Sequence, residues 1–381
     1  MYFKNLFIYR FTRPFDVALE DLEKQLNALP FTPCSSQEQS RFGWVSPLGK
    51  KGQTLAHYAD GQLLILAKKE EKVIPASVIN DMVAEKVESL EIEEGRALKK
   101  KEKEAIKEEV IVSLLPRAFS RFQQTYAWIN PKDGFIAVDA GSFKQAENLL
   151  ALLRKSIGSL PVIPISLAAP AEITLTDWLK EGTAPAGFAL EDEAELHSAL
   201  EHGGIIRAKQ QDLLDEEMKA HLEADKLVTS LALNWAETIS FVLKDDLSIK
   251  RMKYSDELKE QNDDITSEDA AARFDADFAL VTGELSRFIP DLIEALGGEE
   301  EYGNKQAIKL PTESRDEDDP LYPSAVEFVQ RTERASVSSI QRQFKIGYNR
   351  AAWLTDALES RGIISKADSE GHRKVIIQGV A

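Results

Sequence analysis

The sequence predicts an α+β, multi-domain chain with a helical arm and a C-terminal winged helix-turn-helix, and three patterns lead there. Between Pro75 and Leu115 the apolar period switches from strand-like to helical. Residues 304–318 are polar and acidic, with almost no apolar residue after Leu310, which is the composition of a flexible linker. Beyond them, Ala335 to Ala352 reads as helix, glycine turn, helix. The expected units are therefore 1–303, with the arm at about 75–115, a linker at 304–318, and a small domain at 319–381.

The elements follow in order. Met1 to Arg10 is apolar but broken by Lys4 and Arg10 and lacks a small-residue cleavage site, so it is expected to be a strand and not a signal peptide. A helix is expected near Ala18–Leu29, then short strands such as Leu63–Ala67. In the arm, Val78, Ile79, Met82, Val83, Val87 and Leu90 recur at helical spacing. A second, charged helix runs on to Val112. Its Lys99, Lys100, Lys101, Lys103 and Lys107 interleave with glutamates, which suits pairing along a helix surface better than a DNA-facing stripe. Strands return at Phe119–Ile129 and Phe135–Val138, a helix at Lys144–Ser156, and mixed elements continue to Gly298. Among the latter, Ser248–Tyr254 alternates as a basic strand. No repeat at solenoid spacing is present.

In the last domain Ser336 or Ser338 can cap the first helix, Ile340 and Phe344 face inward, and Gly347 provides the turn. The second helix, Tyr348–Ser360, carries Ala351, Leu354 and Leu358 as its buried stripe. Ile363–Lys366 and Arg373–Ile377, joined by a polar turn, complete a wing. Asn349 and Arg350 open the second helix and are the side-chain types that read base edges. Arg342, Lys345, Arg373 and Lys374 suit phosphates better.

The net charge of −17 disfavours a nucleic-acid partner on average, because neutralising phosphates requires excess Lys and Arg. The average conceals an asymmetry: from Pro320 onward there are nine Lys/Arg against six Asp/Glu, so the tail is basic and the remainder more acidic. A basic concave surface on an acidic protein still binds nucleic acid. The single cysteine, Cys34, excludes an internal disulfide and fits a reducing cytoplasm. No run reaches the ~20 apolar residues of a membrane helix, so no membrane partner is expected.

Within 1–303, three basic groups stand out. A strand through Arg117, Phe119 and Arg121 would place all three on one face, leaving open whether Phe119 is core with solvated arginines or an exposed contact. Arg207-Ala208-Lys209-Gln210-Gln211 closes a strand after two glycines, and Lys209 and Gln211 offer donors for phosphate. Lys250, Arg251 and Lys253, with Lys244 nearby, are either a DNA-facing strand or a solvated one. Enzyme readings are weak. His197 and His202 lie roughly 140° apart around a helix, and there is no phosphate-binding Walker loop, nucleophile elbow or dinucleotide fingerprint. Asp275, Asp277 and Glu284 lack an accompanying ligand motif for a nuclease metal. No metal or cofactor is expected.

Residues 1 to about 300 resemble the RdgC family of bacterial recombination-associated proteins. The resemblance rests on Phe31-Thr32-Pro33-Cys34, the run from Leu114 to Phe122, the run from Leu152 to Pro161, Gly203 to Lys209, and Arg273 to Phe278. It implies a ring-forming protomer: a homodimer with a basic central hole that holds double-stranded DNA without sequence preference and restrains RecA-promoted strand exchange. It further implies that Phe119 lies at the dimer interface, with Arg117 facing DNA or the partner. At Gln210 the family often has a second lysine. Residues 319–377 look like the γ domain of the translocase FtsK, chiefly through Gln341 to Ala352. That similarity implies a module reading a short G-rich motif and contacting site-specific recombinases. Trp353 stands where the γ domain usually has a second arginine, and Asp356 where a glutamate is usual. A guanidinium paired bidentately with guanine carries about 1–3 kcal/mol of discrimination, so the departure bears on sequence preference.

Together these observations point to a non-enzymatic, nucleoid-associated, cytoplasmic DNA-binding protein that modulates RecA-dependent recombination. The alternative is an adaptor that recruits a recombinase or DNA motor through its winged helix.

Overall fold

Of the strand expected over Met1–Arg10, only the part from Phe7 is in strand β1 (Phe7–Phe11), with Leu6 in an isolated bridge to Ile249; helix α1 (Leu19–Leu26) follows, its inward stripe Leu22 and Leu26. The computed structural model describes residues 2–49, 52–198, 203–263, 265, 270–300, 321–332, 335–344, 346, 348–365 and 373–376. The chain divides into two units, Tyr9–Ile163, and Met1–Ile8 with Pro164–Ala381.

In the first unit, β2 (Ser40–Val45), β3 (Ala56–Ala59) and β4 (Gln62–Val73) are followed by the arm helices α2 (Ala76–Glu94) and α3 (Lys100–Leu114). Then come β5 (Phe119–Asn130), β6 (Phe135–Asp139), α4 (Phe143–Ile157) and β7 (Val162–Pro164). The sheet order is β2-β4-β5-β6-β1-β7, with β3 also on β4. β4 and β5 pair antiparallel from Leu63↔Ile129 to Val73↔Phe119. Their apolar ends, Leu63–Ala67 and Ala127–Ile129, are buried, whereas the far end, rich in Lys and Glu, is exposed on β5 and largely half-buried on β4, where β2 also pairs from Ser40↔Glu71 to Val45↔Leu66. Glu70 is buried there, accepting from Ser120 and the Cys34 N–H, and the arm emerges beyond Val73.

The arm is an α-hairpin. Gly95 takes φ 64° at the end of α2, a left-handed conformation that costs glycine little. Leu98, Ile106 and Val110 are buried against Met82, Val83, Val87, Leu90 and Leu114. The lysine–glutamate ion pairs run between the two helices and not along one helix surface as the spacing suggests, Lys103 with Glu91 at 3.1 Å and Lys86 with Glu109 at 2.8 Å. Glu102 accepts from the Lys99 N–H at 2.7 Å and from Arg96, and the Arg96 guanidinium holds its carboxyl at about 2.

The second unit contains α5 (Ala171–Glu181), β8 (Phe188–Ser198), β9 (Ile205–Lys209), α6 (Glu216–Glu223), β10 (Lys226–Trp235), β11 (Ile239–Lys244), β12 (Ile249–Tyr254), α7 (Asp256–Glu260) and the long α8 (Ala270–Ala295). Its sheet runs β12-β11-β10-β8-β9, with each neighbouring pair antiparallel. One face is apolar and covered: Phe288 of α8 meets Phe241 edge-on at 4.9 Å, Trp235 donates to Asp291 at 3.1 Å, and the Val228 N–H donates to Thr176 of α5 at 2.8 Å.

The tail carries α9 (Tyr322–Thr332), α10 (Val337–Phe344) and α11 (Tyr348–Ser360), closed around a core that includes Ala325, Ile340, Ala351, Leu354, Leu358 and Ile364. Ser336 caps α10 through the Ser339 N–H. Ile364 bridges Val375, and the Ser365 N–H donates to Lys374 O at 2.7 Å. Gly347 and the turn of the expected wing lie outside the described residues.

One expectation is corrected. Arg117 sits in a 3-10 turn, Leu115–Arg117, with Pro116 inside it. The strand begins only at Phe119, so Arg117 does not share a strand face with Phe119 and Arg121.

Gly43 of β2 tests the packing. The chain at Leu29–Phe31 runs against Trp44 through N–H···O bonds at 2.8 and 3.0 Å, and a Cβ on Gly43 would lie 2.6 Å from the Phe31 backbone. Gly43→Ala should destabilise the protein by about 1–3 kcal/mol, read as a lowered denaturation midpoint. An unchanged midpoint would mean that the Leu29–Phe31 segment yields without cost.

Candidate nucleic-acid interface

With one face of the five-stranded sheet buried, alternation sends the other set of side chains to the open face. Register fixes which residues meet there. One row reads Arg207, Glu195, Ser230, Lys244, and the next begins Lys209, Glu193. Opposite them, Val242 pairs with Lys250 and Ser240 with Lys253, and the ladder slips by one residue between these pairs. The slip is a bulge in β12: Arg251 takes φ +53°, so Lys250 and Arg251 both line the open side while Ile249 and Met252 stay buried. Asn5 Oδ1 accepts the Arg251 N–H at 3.2 Å, and Lys4 O accepts the Met252 N–H at 2.8 Å. The segment before β1 thereby braces the bulge.

The result is a cleft of about 460 Å³ lined by Arg207, Lys209, Lys244, Lys250 and Arg251 with Glu193 and Glu195, five cations against two carboxylates. Glu193 takes Arg251 at 2.6 Å and Lys209 at 3.8 Å; Glu195 takes Arg207 at 2.7 Å and His197 at 2.8 Å. The Arg251 hydrogen bond holds the Glu193 carboxyl below the ordinary range, and the Arg207 hydrogen bond does the same for Glu195. Lys250 Nζ stands 3.9 Å from the Phe7 ring centroid, a cation–π contact that fixes its direction. Lys253 is exposed in the adjoining row, beside Ser240. Gln211 is engaged elsewhere, its amide donating to Asp215 at 2.9 Å.

A second group lies at the far end of the β4–β5 ladder of the other unit. Phe119 is 87% exposed, which removes it from the core. Arg121 pairs with Glu71 at 3.0 Å, Ser120 donates to Glu70 at 2.5 Å, and Lys68 sits between the Phe31 and Phe122 rings at 4.8 and 4.6 Å. Arg117 is exposed at the base of the arm.

In the tail, Arg350 and Lys374 are exposed. Arg373 pairs with Glu359 at 3.1 Å and ties the residues after the wing turn to α11. Arg342 lies in α10 and Asn349 in the first turn of α11; their side chains, that of Trp353, and all of Lys345 lie outside the described residues.

Glu193 and Glu195 are not among the residues expected at this cleft from sequence, yet a signal for them is there: Glu191, Glu193, Glu195 and His197 alternate along one strand. Of the carboxylates weighed for a nuclease, Asp277 pairs with Arg273 at 3.4 Å and accepts from Asn262, and Glu284 pairs with Arg287. Among the described residues no three His, Cys, Asp or Glu stand together as a metal site, and no described helix is long and apolar enough to cross a membrane.

The family model described as "Putative exonuclease, RdgC" matches residues 1–299. The chain belongs to the RdgC family. Similar RdgC proteins, each called recombination-associated protein RdgC, come from Aeromonas hydrophila subsp. hydrophila, 68% identical over 301 residues, and Tolumonas auensis, 64% identical over 299. A third, from Psychromonas ingrahamii, is 57% identical over 300 residues. These alignments cover 78–79% of this chain and 99% of each relative. Residues 316–378 match the FtsK γ domain, outside the span of the RdgC match.

The paired carboxylates make a pH prediction. Because the folded-state values of Glu193 and Glu195 are depressed, their stabilisation is fully present above the ordinary glutamate value of about 4.3 and is lost as pH falls through the lower folded values. Between about pH 5 and 3 the wild-type melting temperature should therefore fall further than that of a Glu193→Gln/Glu195→Gln variant, measured by circular dichroism. Parallel falls would show that these pairs add no pH-dependent stability.

Proposed function

We propose that this protein binds double-stranded DNA through its backbone without catalysing a reaction. In this reading it encircles the duplex as a homodimer, restrains RecA-dependent recombination, and acts in the cytoplasm on the nucleoid. The observation that carries the reading is the convergence of five cations from three strands, β9, β11 and β12, on one open sheet face in a member of a recombination-associated family. Lysine and arginine set on a rigid sheet suit phosphate oxygens.

The tail adds a second contact. Its match to the FtsK γ domain, with Arg350 and Lys374 exposed, supports either DNA binding, with Asn349 and Arg350 toward bases and Arg342, Lys345 and Lys374 toward phosphates, or contact with a site-specific recombinase. A tether makes that second contact intramolecular and raises its effective concentration. Phe119, exposed at the start of β5 and flanked by Arg117 and Arg121, is the anchor the reading assigns to the dimer interface, where buried aromatics carry much of the binding energy.

Duplex binding measured by fluorescence anisotropy against salt should give a straight log–log line of negative slope, shallower by about 0.9 for each phosphate contact removed in a Lys209→Ala/Lys250→Ala variant. Absence of binding at ~50 mM salt, or an unchanged slope, would overturn the assignment of this face.

Phe119→Ala should leave protomer stability within about 0.5 kcal/mol of wild type but weaken self-association in sedimentation experiments. A wild-type association constant would remove Phe119 from the interface.

A further inference from the structure

The cleft is layered. Glu193 and Glu195 are recessed, their side chains 25% and 24% exposed, while Arg207, Lys209 and Arg251 above them are 64%, 64% and 53% exposed. Each carboxylate already occupies a guanidinium: Arg207 through Nε and Arg251 through one Nη. An arginine has five donors, so each keeps others for an incoming anion. A phosphate oxygen accepting from the same guanidinium must then settle beside a fixed negative charge.

We propose that Glu193 and Glu195 are built-in competitors for backbone phosphate, holding the cleft's DNA affinity below what its five cations would deliver and keeping the bound duplex exchangeable. The inference rests on the DNA-binding reading of this face. It adds two acidic residues as determinants of affinity, and three geometric facts support it. Both carboxylates come from β8, so they sit between the cations of β9 and those of β11 and β12. Glu193 bridges Lys209 and Arg251 from opposite sides of the cleft, so one charge attenuates two binding groups. Glu195 is likewise shared, between Arg207 and His197. Pairing for stability alone would need neither the sharing nor the position beneath the cations.

The test uses the full chain and a fluorescent duplex of random sequence. Glu193→Gln and Glu195→Gln keep the shape and an acceptor oxygen while removing the charge. Each should tighten binding roughly three- to tenfold at low salt, with the gain shrinking as salt screens the charge. Glu193→Asp, which keeps the charge, should stay near wild type. Glu216→Gln, which removes the same charge from an exposed pair with Lys219 on α6, should change affinity less than twofold. Equal tightening by Glu216→Gln would reduce the effect to net charge and overturn the proposal. Unchanged or weaker binding by the cleft variants would overturn it as well; if Lys209→Ala/Lys250→Ala still flattens the salt dependence, the DNA-binding reading survives. No binding by the wild-type chain overturns both.

Discussion

One-sided burial of the five-stranded sheet is the constraint on which the candidate interface depends. Phe241, Leu243, Ile239, Leu231 and Leu233 are committed to the face covered by helices, and a period of two leaves their neighbours no choice but the opposite face. Charged residues from β8, β9, β11 and β12 thus converge although they are spread from Glu193 to Arg251 in sequence. The bulge in β12 sharpens the effect. Strict alternation would have put Lys250 and Arg251 on opposite faces; the left-handed Arg251 places both in the cleft, a non-glycine conformation of the kind that collects at functional sites.

The first unit obeys a different division. Its long β4–β5 ladder is apolar at one end and charged at the other, so only the apolar half enters the core. The charged half presents Phe119 and Phe122 beside Lys68, Arg121 and Glu71, and supports an arm whose helices bury little beyond their own seam. The backbone beneath the exposed Phe119 is ordered by the β4–β5 ladder, so a contact made there would cost little backbone entropy. The Lys68 ammonium between two rings adds cation–π stabilisation that orders the neighbouring aromatics.

The tail is held together by helix packing and not by a sheet. Its core closes within about forty residues and is completed by the bridge from Ile364 to Val375, with Arg373 spent on Glu359. Arg350 and Lys374 on its surface extend a basic character that the chain's overall acidity hides. The module has its own core and follows a stretch of sequence rich in Asp and Glu.

The sequence by itself determined a good deal. Helical period marks the arm and the tail helices, down to α11 at Tyr348–Ser360, because local spacing decides these elements. Composition marked the acidic segment, and the motifs from Phe31 to Phe278 carried the family. The basic clusters at Lys209 and Lys250–Lys253 were also visible as residue types. Only the tertiary structure decided that they share one cleft, that Glu193 and Glu195 lie beneath them, that Arg117 leaves the strand for a Pro116-containing turn, and that Phe119 is outside the core. The physical reason is register: which residues meet across a sheet depends on strand pairing and on a one-residue slip in β12, both set by contacts between segments far apart in the chain and invisible to any local pattern.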